Sequence, residues 1–128
     1  MSGQMIMAVA FGGALGSVAR YLGMIGIGVW LGQNFPWATL IVNVLGSALM
    51  GLLIEGSALR WNIGPEMRAF LTVGILGGFT TFSTFSMDVA LLVERNEFAS
   101  AGLYILVSVL ASVGALFGAM YLVRQVMA

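Results

Sequence analysis

Between Gly74 and Ser86 the chain reads Gly-Ile-Leu-Gly-Gly-Phe-Thr-Thr-Phe-Ser-Thr-Phe-Ser, setting five hydroxyls directly behind a glycine pair. Serine and threonine hydroxyls compete with a helix for its own backbone groups. Gly77-Gly78 admits backbone angles outside the helical region. The segment is expected to break a helix, the alternative being a continuous helix softened by its hydroxyls. Carbonyls freed in an apolar medium must be buried in protein, line a wet cavity or bind an ion. Other donors recur four apart: Thr39, Asn43 and Ser47 in one stretch, and Ser100, Tyr104, Ser108 and Ser112 in another. That spacing puts each row on one helix face. Two such rows facing each other would make a narrow donor-lined path, or each would serve as interhelical hydrogen bonding. Phe82 and Phe85, three apart, share a face and by themselves read as core or lipid-facing rings.

The elements that carry these residues follow from composition. The chain has 128 residues, of which 60% are hydrophobic and 8% charged, against about 25% charged in soluble domains. Mean hydropathy is +1.04. So small a chain could not hide that much apolar surface in a water-soluble core, so a membrane protein is expected. With no histidine and no cysteine, there is no basis for a disulfide framework, a zinc site or a histidine relay. No nucleophile–base pair is visible either, so no enzyme is expected. A net charge of zero with scattered arginines argues against nucleic acid as a partner. The uncharged start and the long, glycine-rich run behind it do not fit a cleaved signal peptide, and no attached soluble domain is expected.

A helical span needs about 20 apolar residues, and the chain divides into four, at about 5–31, 36–59, 69–93 and 98–123, within a single transmembrane domain. The uncharged run from Phe98 to Val123 does not alternate as a barrel strand would. The fold class is therefore all-α, with four transmembrane helices and the third broken mid-span. Four crossings bring both termini to one side, with Arg60, Arg68 and Arg124; Arg95 lies on the other. So slight a charge bias is a weak orientation signal, compatible with dual topology. Gly12-x-x-x-Gly16 and Gly114-x-x-x-Gly118 match the spacing that lets helices approach closely. Helices packed so tightly cannot surround a wide pore, so any conduction route should use a second subunit. Arg20, deep in the first span, must snorkel, face a vestibule or pair with Asp88 or Glu55.

The Gly74–Ser86 segment resembles the signature of the Fluc (CrcB) fluoride channels. Gly16-Ser-Val-Ala-Arg20-Tyr21 and Thr39-Leu-Ile-Val-Asn43-Val-Leu-Gly46 support the resemblance, which extends over essentially the whole chain. Departures are small: Ala38 for an expected glycine, Phe79 for a common leucine, and Asp88 for a frequent glutamate. The resemblance implies an antiparallel, dual-topology homodimer with two fluoride pores in a bacterial cytoplasmic (inner) membrane. It implies that Asn43, Phe82 and Phe85 line the pores, and it favours the same for Thr39, Tyr104, Ser108 and Ser112. It further implies a structural sodium ion at the dimer interface, held by the backbone carbonyls of Gly77 and Thr80, and the export of fluoride that entered as hydrogen fluoride. In that setting the positive ring edges of the phenylalanines can contact an anion without trapping it, as conduction requires. Arg20 is then favoured as a vestibule charge.

Two other classes compete. A proton-coupled small multidrug exporter needs a titratable carboxylate in its central cavity, expected in the first span, where this chain has Arg20 and no acid. A non-transporting membrane scaffold would account for the glycines, but not for Gly-Gly, five hydroxyls and paired phenylalanines in one span.

Overall fold

The computed structural model describes residues 2–127. Helix α1 runs Gly3–Leu31, opened by the Ser2 hydroxyl accepting from the Met5 N–H and closed at Gly32, whose φ of 84° suits glycine. Helix α2 (Trp37–Leu59) follows Pro36. The third crossing begins earlier than the sequence suggests, with Pro65 in the first turn of a short helix α3 (Pro65–Ala69). It continues through a π-helical segment, Phe70–Leu76, and a single turn, α4 (Gly77–Phe79). After an extended Thr80-Thr81 step it resumes as α5 (Phe82–Glu94). Helix α6 (Phe98–Met127) completes the chain. Among the described residues there are four helical stretches long and apolar enough to cross a membrane, and no strands. Even the shortest, α2 at 23 residues, extends about 35 Å at 1.5 Å per residue, enough for a hydrocarbon core of about 30 Å.

The packing is pairwise. Helix α2 lies along α6, while α1 lies along the π-helical segment and α4. The second pairing depends on glycine: a Cβ on Gly16 would run into the Ile75 carbonyl oxygen, and one on Gly12 would come within 2.6 Å of the Phe70 carbonyl oxygen. The Gly12/Gly16 spacing thus brings backbones together inside the protomer. Gly114 and Gly118 differ, since nothing lies within 4 Å of a Cβ on either. A small apolar cluster of Leu40, Phe85, Leu92, Ala101 and Tyr104 fixes α2, α5 and α6 around the second half of the third crossing. At that end an Arg95 guanidinium N–H donates to the Asn34 carbonyl at 2.9 Å, tying the α5–α6 turn to the α1–α2 loop. At the opposite end Glu55, buried on α2, pairs with Arg124 of α6 at 2.7 Å.

Candidate functional site

The break does not fall at the glycines. Gly77 has φ −63° and ψ −36°, an ordinary helical conformation. Thr80 (φ −84°, ψ 157°) and Thr81 (φ −153°, ψ 116°) are the extended residues. Gly78 serves packing instead of unwinding: a Cβ there would sit 2.8 Å from the Gly13 carbonyl oxygen. What opens the helix is competition for donors and acceptors. The Thr81 hydroxyl caps α5 by accepting from the Thr84 N–H at 3.1 Å. The Thr81 N–H donates to Asn43 Oδ1 at 2.7 Å, and Asn43 Nδ2 donates back to the Thr81 carbonyl at 3.0 Å. That reciprocal pair also fixes which end of the Asn43 amide is oxygen.

In an unbroken helix the Thr81 N–H would donate to the Gly77 carbonyl and the Thr84 N–H to the Thr80 carbonyl. Both donors are directed elsewhere, so both carbonyls are released. The Gly78 carbonyl between them takes Arg20 Nε at 3.0 Å. Arg20 thus caps the first half-helix, while the carboxylates weighed as its partners are engaged with Arg124 and Tyr104. Gly77 lies exposed on the protomer and Thr80 is half-buried. Released carbonyls of this kind can hold a hard cation such as sodium, and an exposed position allows a second chain to share it.

Beside the break lies a cleft of about 340 Å³, lined by Asn43, Ser47, Phe82, Phe85, Ser108 and Ser112, among others. It contains residues from both donor rows together with the phenylalanine pair. The two rings sit 5.3 Å apart, centroid to centroid, at 45°. Phe85 is only 8% exposed, whereas Phe82 is 77% exposed. The Ser108 hydroxyl is buried and has no hydrogen-bond partner among the described residues. Gly46 forms part of the floor, and a Cβ there would strike the Thr80 methyl.

Thr39 and Tyr104 stand apart from this cleft. Tyr104 is fully buried, with its ring against Phe85 at 5.1 Å and edge-on to Phe35 at 5.5 Å. Its hydroxyl donates to Asp88 Oδ2 at 2.9 Å. Thr39, also buried, lines a second cavity of about 480 Å³ near the Arg95 end, with Asp88, Gln33 and Tyr21. Each row therefore divides, one part facing the cleft and one part set deeper toward that end. Thr81 and Gly46 carry the site without having been singled out as site residues. Thr81 was visible as a hydroxyl ahead of a resumed helical pattern, whereas the need for glycine at position 46 depends on a contact that sequence spacing does not express.

Four helical stretches long and apolar enough to cross a membrane, three of them lining a cleft beside a crossing broken and held at its step by arginine and asparagine, define a multi-pass membrane protein. Residues 7–120 match the family described as CrcB-like protein, Camphor Resistance (CrcB), and the chain belongs to that family. A relative from Rhodospirillum centenum, named a fluoride-specific ion channel FluC, is 57% identical over 98% of this chain and 99% of its own length. Relatives of the same name from Nitrobacter winogradskyi and Agrobacterium fabrum are 56% and 51% identical, each over 94% of this chain and 96% of their own length. The resemblance read from the Gly74–Ser86 motif is borne out.

Proposed function

We propose that the protein is a fluoride-selective channel subunit that releases cytoplasmic fluoride by passive electrodiffusion, and not an enzyme. The observation that carries this reading is the cleft itself: uncharged, donor-lined and flanked by two aromatic rings. A permeant anion must exchange its water for donors, and the Asn43 amide and the Ser108 and Ser112 hydroxyls offer them. The buried Ser108 hydroxyl, unpartnered in the protomer, is a donor available to an ion. Phe82 and Phe85 contribute positive ring edges. No lysine or arginine lines the cleft, which suits binding weak enough to let the ion leave. Arg20 brings a permanent positive charge to the break, raising the local anion concentration while its Nε stays on the Gly78 carbonyl. Thr39, in the second cavity, extends the path toward the Arg95 end, whereas Tyr104, fully buried and donating to Asp88, lines neither cavity.

The working unit is an antiparallel homodimer inserted in both orientations in a bacterial cytoplasmic (inner) membrane. Phe82, 77% exposed beside a cleft in a single protomer, supports a second chain as the missing wall, and two such walls give two pores. The carbonyls of Gly77, a residue exposed in the protomer, and of Thr80 are the oxygens we assign to a structural sodium ion, whose bound charge would hold the two breaks together. Planar-bilayer recording with both anions on both sides, in opposed fluoride and chloride gradients, tests the assignment. The expected current reverses near the fluoride equilibrium potential; reversal near the chloride potential would overturn it.

A further inference from the structure

We infer that Asn43 couples the two ions of this channel: the same amide that lines the anion path holds open the carbonyl site for the cation, so occupancy of either strengthens the other. The inference rests on the fluoride and sodium reading above. Its basis is how one side chain is used. Asn43 Oδ1 takes the Thr81 N–H at 2.7 Å, the donor that a continuous helix would give to the Gly77 carbonyl. Asn43 Nδ2 holds the Thr81 carbonyl at 3.0 Å, keeping Thr81 extended so that its hydroxyl, and not the Thr80 carbonyl, receives the Thr84 N–H. Removing the amide returns the Thr81 N–H to Gly77 and closes one of the two oxygens to a cation. Asn43 is therefore a positioning residue for the cation site, although it lies on another helix.

The amide has a second N–H, and the residue lines the cleft. An anion accepting that proton polarises the amide and makes Oδ1 a stronger acceptor, as in any chain of hydrogen bonds. A stronger hold on the Thr81 N–H keeps the Gly77 carbonyl free, so the coupling is positive. Linkage makes it reciprocal: the factor by which fluoride tightens sodium is the factor by which sodium tightens fluoride.

The test uses the full-length protein in detergent. Subunit exchange between two fluorophore-labelled pools is measured as sodium chloride replaces N-methylglucamine chloride at constant ionic strength, with and without fluoride. For the unaltered chain we expect exchange to slow with sodium, and fluoride to lower the half-saturating sodium concentration by roughly fivefold or more, within the usual range of coupling between sites. Asn43→Ala should raise that concentration by roughly tenfold or more and erase the fluoride shift. Asn43→Asp keeps an acceptor for the Thr81 N–H but has no N–H for the Thr81 carbonyl or for the anion, so sodium should still slow exchange, at a higher half-saturating concentration, and the fluoride shift should disappear. If Asn43→Ala fails to fold, Asn43→Asp alone decides: a fluoride shift retained in that variant overturns the coupling. Exchange of the unaltered chain that ignores sodium would overturn the sodium assignment and the coupling with it. Sodium-dependent exchange that is unchanged in Asn43→Ala overturns the coupling alone.

Discussion

Phe82 and Phe85 lie one turn apart on α5 but have different surroundings, and substitution should separate their roles. Phe82 is largely exposed in the protomer, so Phe82→Ile should leave protomer packing intact while reducing fluoride flux by roughly tenfold or more, because an aliphatic side chain offers no positive ring edge. Unchanged flux in a folded Phe82→Ile dimer would refute the ring-edge role. Phe85 is buried against Tyr104, and Phe85→Ile should lose both flux and stability. Ser108 offers a complementary case. A buried hydroxyl without a partner costs about 1–3 kcal/mol, so Ser108→Ala should slow flux without lowering thermal stability. Lower stability with normal flux would mean instead that the hydroxyl is a packing contact. The four-residue rows containing Ser108 and Asn43 were legible in the sequence because helical spacing is written directly into residue numbers. The grip of Asp88 on Tyr104 was not, because it joins side chains from two helices, and neither was the hold of Arg20 on a backbone carbonyl.

At the scale of elements, the third crossing was legible as broken but not where it breaks. Glycine permits unusual angles yet does not demand them, and Gly77 stays helical. The step falls at Thr80-Thr81, where capping by the Thr81 hydroxyl and the amide of Asn43 supply the demand. The π-helical segment Phe70–Leu76 left no mark in the sequence pattern, since its apolar residues suit an α-helix equally. Its contact with Gly12 and Gly16 was legible only as a spacing. Gly16→Ala forces a methyl into the Ile75 carbonyl oxygen, an overpacking that typically costs about 1–3 kcal/mol. A thermal melt should show that loss, whereas Gly114→Ala, with nothing within 4 Å in the protomer, should leave protomer folding intact. Equal melting losses for both variants would contradict this division between internal and external glycines.

For the whole molecule, the four spans and the family could be read from composition and one motif, because membrane thickness and apolar runs leave few alternatives. A one-sided cleft at Phe82 and an exposed Gly77 at the break give the reading of a paired assembly its physical content. Replacing sodium with a bulky organic cation should weaken the dimer, as removal of any ligand specific to the assembled state would, and dimers indifferent to sodium would contradict the central cation. Selective, electrogenic fluoride conduction can be measured in liposomes loaded with fluoride and read with a fluoride electrode. A fluoride channel should give rapid fluoride release that requires a potassium ionophore to carry the counter-charge, with little release in a parallel chloride experiment. Silence from a verified, folded dimer, or equal release of chloride, would contradict it.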